Sequence, residues 1–388
     1  MADTRDAVII GGGISGVAAA YELARSGASV TLVERGALAS MASGRTLAGV
    51  RQSGRHPAEL PLARAAVARW RRLGEELGAD VEYRQEGNLR LARTPAEVAT
   101  IRGIVDEQLA LGLDIHYLPD NAAVREVAPA LAPTVLAASL CPTDGHANPT
   151  ATVRAFAAAA ERCGARILSE TTVTAIDAAG GKVRGVRTDR GDIAADAVVV
   201  AAGVSTGRLG ASLGLDLPIG VGHVAVVQTV PLPPLIRHVL GVAGADLALR
   251  QEVGGRVRLT GGGVPWPHHL DDLARGNDSV QPPVSEVVAA LARAVEVLPA
   301  LTQAGIGRVW GGLLDLTPDA LPVIERAPEV EGLVAAAGFS GHGFCLGPVT
   351  GEIVRDLVLR GTTPYPIAAF RRSRFGGADE PVAATLHG

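Results

Sequence analysis

The sequence predicts a two-domain α/β protein: a discontinuous Rossmann-like domain and a second domain with a mostly antiparallel sheet. Three observations carry this. Residues 6–36, DAVIIGGGISGVAAAYELARSGASVTLVERG, read as strand, glycine turn, helix and strand. A further continuous apolar strand, residues 196–200, runs into Ala201-Ala202-Gly203 far along the chain. Residues 217–263 hold several short strand-like runs with no helical pattern between them, as antiparallel pairing allows.

In the first unit, the apolar run 7–10 leads into Gly11-x-Gly13-x-x-Gly16. Gly11 permits the tight turn, Gly13 leaves room for a pyrophosphate, and Gly16 lets the helix pack close to the strand. The helix N-terminus offers free N–H groups to phosphate. The second run, 30–33, ends on Glu34, where a carboxylate binds ribose hydroxyls. The spacing of that acid favours a dinucleotide site over a glycine turn of no function.

The remaining elements follow in order. A Gly/Ser/Ala loop spans 37–57, and Leu60, Ala63, Val67, Trp70 and Leu73 give helix 58–78 its apolar face. A strand at 88–92 and a helix at 95–111 come next. The turn PTDGHANP, 142–149, precedes helix 150–163. Residues 165–168 form a short strand, and 172–176 and 183–188 flank AAGG as a hairpin. Strands at 224–230, 247–251 and 256–260, a helix at 283–298, strands at 310–314 and 333–337, and a last helix at 348–359 complete the chain. Residues 1–85, 145–215 and 305–375 are expected to build the first domain, 86–144 and 216–304 the second, and 376–388 a tail.

Composition limits the functions available. With 388 residues, 47% of them hydrophobic, a large core is available and wholesale disorder is excluded. A net charge of −4 gives no footprint for nucleic acid. No apolar run has the length of a membrane span. The chain enters its first strand with no room for a signal peptide, and Cys141, Cys163 and Cys345 have neither disulfide nor zinc spacing. No metal site is expected, and a reducing cytoplasm fits. Lys182 is the only lysine and lies in the hairpin turn.

Four segments resemble the D-amino-acid-oxidase superfamily of FAD-dependent amine oxidoreductases. They are GGGISG with Glu34; SGRTLAGVRQSGRHPAELPLA, 43–63; DIAADAVVVAAGVST, 192–206; and WGGLLDLTPDALPVI with GFSGHGFCLGPVTG, 310–351. FRRSRF, 370–375, matches the usual ending. Two of these segments look most like the β subunits of heteromeric sarcosine, hydroxyproline and opine oxidoreductases, with glycine oxidase and monomeric sarcosine oxidase more distant.

The resemblance implies FAD as cofactor, held by Gly11, Gly13, Ile14, Ser15, Gly16, Glu34, Arg35, Ser43, Gly44, Arg45, Gly49, Val50, Val173, Ala202, Gly203, Gly312, Gly338, Gly341, His342, Gly343, Phe344 and Cys345. Residues 310–316 lack the cysteine that tethers flavin in monomeric sarcosine oxidase, so binding is expected to be non-covalent. A substrate carboxylate calls for the planar fork of arginine, and Arg51 and Arg250 are the candidates. His342 either touches flavin or substrate, or satisfies a backbone carbonyl. His56 and Trp266 are weaker pocket candidates, and Cys345 reads as a buried inert thiol. With Lys182 in a hairpin, activation of oxygen by an active-site lysine is not expected.

The implied activity is oxidation of the C–N bond of a secondary amino acid such as sarcosine, proline, hydroxyproline or an opine. The enzyme is expected to be dehydrogenase-like or to pass its electrons to a partner subunit. Two rivals stand beside it: a stand-alone oxidase of glycine or D-amino acids, and a non-catalytic FAD-holding subunit. An NAD-dependent dehydrogenase leaves the C-terminal segment unexplained.

Overall fold

A computed structural model describes residues 5–270, 273 and 280–376. Apart from Gly376, the expected tail lies outside the described residues. Two large sheets organise the chain. The first runs in the order Val323–Arg326, Leu333–Ala337, Gly191–Val200, Arg5–Ile10, Val30–Val33, Arg166–Leu168. All its neighbours are parallel except the Val323–Arg326 edge. The hairpin Val173–Ala179 and Lys182–Thr188 extends it by pairing with the start of Gly191–Val200.

The helix Ile14–Arg25 is buried from Ile14 to Ala24, which explains its apolar surface on all sides. Small residues let the last helix, Gly343–Arg360, approach it closely. A Cβ on Gly347 would lie 2.3 Å from Ile14, and one on Gly351 2.7 Å from the backbone of Ala18. Helices Pro95–Ala110 and Pro149–Arg162 begin with proline behind the capping side chains Thr94 and Asn148. Helix Leu60–Leu77 ends at left-handed Gly78.

The second sheet has nine strands, antiparallel except where Asn88–Ala92 runs parallel to Val239–Val242. Helix Val284–Val297 covers one face through Ala290, Ala294 and Val297. The other face looks toward the first domain's loops.

Several elements depart from the sequence reading. The last helix starts at Gly343, five residues before the expected Pro348. Trp70 Nε1 donates to the Cys345 carbonyl at 2.9 Å and Arg69 to that of Pro348 at 2.7 Å, so side chains of a neighbouring helix serve backbone oxygens around the proline. The 37–57 loop holds a helical turn, Ala42–Arg45, and a short strand, Gly49–Val50, paired with Gly145–His146. Strand Val239–Val242 was not foreseen, because VLGV is short and owes its conformation to its two neighbours. Ile306–Leu316, expected in the first domain, pairs along its length with Gly220–Pro231 of the second sheet.

Candidate active site

Two adjoining cavities lie between the sheets. The first, about 1420 Å³, opens at the carboxyl end of Arg5–Ile10, where the strand order reverses direction. Its walls include Gly11, Gly13, Ile14, Ser15, Glu34, Arg35, Ser43, Val173, Ala202, Gly203, Gly341, Gly343 and Phe344. The glycine turn is built for close approach. Gly11 has φ +114°, and a Cβ there would lie 2.3 Å from the Ala201 carbonyl oxygen. A Cβ on Gly13 would lie 3.0 Å from Ser43 Oγ. Gly13 supplies no side-chain cap, and Ser43 Oγ accepts the Ile14 N–H at 2.9 Å. The bare turn and helix start fit a pyrophosphate. Glu34 is held by the N–H groups of Gly12, at 2.6 Å, and Gly36, at 2.9 Å, with its carboxylate in the cavity wall.

Five expected cofactor residues do not line this or the second cavity, and each has a packing role. A Cβ on Gly16 would lie 1.9 Å from the Gly11 oxygen, and one on Gly44 2.0 Å from that of Ala39. Gly338, at φ +69°, donates to Asp315 at 2.7 Å. Val50 pairs with Gly145. Cys345 is buried, and burial raises its thiol to about 11, as expected of an inert thiol.

The second cavity, about 1080 Å³, shares Ala42, Thr46, Leu313, Leu314 and Gly341 with the first. Arg45, Gly49, Arg51, Arg90, Gly312 and His342 line it, and among the described residues no Asp or Glu does. Behind this wall lie Arg55, Glu59 and Asp144, all buried. Asp144 accepts from Ser53 Oγ at 2.5 Å and from the Gln52 and Ser53 N–H groups at 2.8 and 3.2 Å, although burial still raises its pKa. Burial, Arg55 and Arg90 pull the Arg51 guanidinium well below its ordinary value. Arg51 donates to the Ser53 carbonyl at 2.6 Å. Burial and Arg55 bring Arg90 to about 10, with Asp144 opposing. Arg51, Arg55 and Arg90 thus face Glu59 and Asp144, and Arg45 adds a further guanidinium to the lining, so positive charge is in excess there.

His342 Nδ1 lies 3.0 Å from Glu59 Oε2, and Arg55 Nη1 lies 3.4 Å from the same oxygen. Burial and Arg55 push His342 below its ordinary value, so it is neutral and donates Nδ1–H to an ionised Glu59. Burial works to raise Glu59, but the contact with His342, then Arg55 and Arg51, outweighs it and holds the carboxyl below its ordinary value. Arg55 is the permanent cation of that pair. The N-terminus of helix Gly343–Arg360 sits between the cavities, with Gly341 lining both.

Three expected substrate residues lie elsewhere. Arg250 is buried and donates to Leu47 O, to Ala147 O at 3.1 Å and to His146 Nδ1 at 3.1 Å. It ties the second sheet to loop 37–57 and to residues 146–147, and it does not line the cavity, because these acceptors surround its fork. His56 is exposed, and its Nδ1 accepts the Ala58 N–H at 3.1 Å near the start of helix Leu60–Leu77. Trp266 packs beside His223 outside both linings. Lys182 is 53% exposed, pairs with Glu331 at 3.2 Å and touches neither cavity. Arg90 and Asn88 were missed. Their strand was foreseen, and the alternation Asn88-Leu89-Arg90-Leu91 puts a cation on the face opposite two core leucines.

Among the described residues no group of three or more His, Cys, Asp or Glu could hold a metal ion, and no helix is long and apolar enough to cross a membrane.

Comparisons with known proteins agree with this geometry. A glycine oxidase of Geobacillus kaustophilus is 31% identical, covering 96% of this chain and 97% of the relative. The sarcosine oxidase subunit beta of an Arthrobacter species is 28% identical, covering 95% and 91%. These identities leave the family's subgroups unseparated. The crystal structure of glycine oxidase from Geobacillus kaustophilus has a TM-score of 0.89 at 28% identity, covering 96% of this chain and all of that one (100%). L-proline dehydrogenase from P. horikoshii has a TM-score of 0.86 at 29% identity, covering 97% and 98%. The family described as DAO, FAD dependent oxidoreductase, matches residues 6–357, and the chain belongs to it as an enzyme that uses FAD to oxidise amines or amino acids.

Proposed function

We propose that this enzyme oxidises the C–N bond of a secondary amino acid of the sarcosine, proline, hydroxyproline or opine type. The observation that carries this is the second cavity, directly beside the dinucleotide cavity, where Arg90 and Arg51 stand in a lining that holds no Asp or Glu among the described residues. Their surplus charge matches a substrate carboxylate, which a guanidinium binds through two parallel hydrogen bonds. FAD, held by the residues of the first cavity, would supply the two-electron oxidation when bound. The carboxylate clamp fixes the substrate, and the resulting imine hydrolyses in water. Neutral His342, oriented by Glu59, keeps the site free of a further cation. With FAD bound, the backbone of Gly341, Gly343 and Phe344, in the cavity lining at the start of helix Gly343–Arg360, would favour negative charge on the flavin.

Among the described residues no Cys or His lines the first cavity, which supports non-covalent binding. The roles of the cavity-lining residues and the division into two domains belong to the same proposal, with Ile306–Leu316 placed in the second domain by its pairing with Gly220–Pro231. So does transfer of electrons to a partner subunit, which the sarcosine oxidase subunit beta relative supports. The full-length match to glycine oxidase favours a second reading, a stand-alone oxidase of a primary amino acid.

Anaerobic bleaching of the flavin by glycine, sarcosine, both prolines, the hydroxyprolines, D-amino acids and opines tests the proposal. Bleaching by a secondary amino acid with slow peroxide formation supports it. Bleaching by glycine with rapid peroxide release supports the second reading. A flavin that no amine reduces overturns both.

A further inference from the structure

The second cavity has two unlike ends, and the sheet register shows why. Leu89, Leu91, Leu249, Val257 and Leu259 point into the core under helix Val284–Val297. Among their alternate neighbours, Asn88, Arg90, Ala248 and Thr260 face the cavity. On that face one register row crosses five strands: Arg90 opposite Gly241, Gly241 opposite Ala248, Ala248 opposite Thr260, Thr260 opposite Val226. All five line the cavity. The row begins with a guanidinium and continues with no side chain, a methyl group, a small hydroxyl-bearing group and an isopropyl group. A Cβ on Gly241 would meet no atom within 4 Å, so the space above it is open. Strands lie ~4.8 Å apart, so the shallow floor over Gly241 and Ala248 extends about 10 Å from Arg90. No Phe, Tyr or Trp lines the cavity among the described residues, and Val224 and Val239 add to its aliphatic wall.

We infer that the substrate carries, beside its carboxylate, an aliphatic chain of about four carbons or more that lies over Gly241 and Ala248. A carboxylate on Arg90 puts its tail one strand spacing away over Gly241. Glycine or sarcosine leaves this apolar floor wet, whereas a chain excludes that water. The inference rests on the amino-acid reading above and narrows its substrate class. The chain sits either on the α-carbon or on the nitrogen.

The test uses the purified FAD-loaded protein. Acetate, butanoate and hexanoate are titrated against the flavin spectrum, which reports binding without turnover. Affinity is expected to rise about fourfold per methylene in the wild type. It is expected to level off in Gly241→Val, which places a β-branched side chain in a strand, and in Ala248→Leu as an independent variant. A flat series in the wild type overturns the inference. Isomeric N-methylnorleucine and N-pentylglycine, both secondary amines, are then compared with sarcosine by anaerobic flavin reduction. One isomer is expected to exceed its short parent at least tenfold in kcat/KM, with the ratio falling in both variants. Equal values for long and short substrates overturn the inference. Rising carboxylate affinity with no amino acid reducing the flavin supports the chain pocket and defeats the amino-acid reading instead.

Discussion

Arg90 gives the sharpest prediction. Burial and Arg55 both oppose its charge, and Asp144 is the acid that supports it. It therefore weakens the folded protein unless an anion binds. A hydrogen bond to a charged group contributes about 1.5–3 kcal/mol, or roughly 10- to 150-fold in affinity. Arg90→Met should raise the Kd for butanoate, read from the flavin spectrum, by that factor. The substrate concentration for half-maximal anaerobic reduction should rise with it. Arg90→Lys keeps the charge and loses the planar fork, so its loss should be smaller. Thermal unfolding should move the other way: Arg90→Met removes repulsion on Arg51 and Arg55, and Tm should hold or rise. This combination, weaker binding with undiminished stability, marks a ligand site that costs stability. Unchanged Kd for Arg90→Met, or a lowered Tm with unchanged Kd, refutes the reasoning.

Arg250→Ala should behave oppositely, lowering stability by about 3 kcal/mol in denaturant unfolding, since it strands the buried oxygens of Leu47 and Ala147. Lys182→Met should change neither oxygen reactivity nor stability beyond about 0.5 kcal/mol, since its ion pair with Glu331 is exposed at both ends. The chain should also lose stability in mild acid. His146 is held neutral to about 3 by burial, Arg250 and Arg84, and His238 to about 4 by burial and Arg237. The unfolded chain takes up these protons near pH 6.5, so below that pH it binds more protons than the folded one. Tm should therefore fall from about pH 6.5 downward to about pH 4, and His146→Gln should flatten that slope.

The glycine turn with Glu34, the buried first helix and most strand and helix positions were legible in the sequence, because each follows from local rules. Period fixes which face is apolar, and glycine spacing fixes where backbone can approach a ligand. The turn position of Lys182 and the burial of Cys345 were legible on the same terms, by turn chemistry and by apolar context, although Cys345, expected at the cofactor, lines neither cavity. Tertiary structure decided the rest. Arg51, Arg90 and Arg250 look alike as letters in a chain whose other cations are nearly all arginine. Only the packing of loop 37–57 against the second sheet gives Arg250 backbone acceptors and leaves Arg90 at a cavity wall. The Glu59–His342 pair joins residues 283 apart in sequence. Likewise Gly241 becomes open floor only through register with Arg90 and Ala248. Spacing along a chain determines local conformation, whereas the charge balance and shape of a site are sums over groups that only folding brings together.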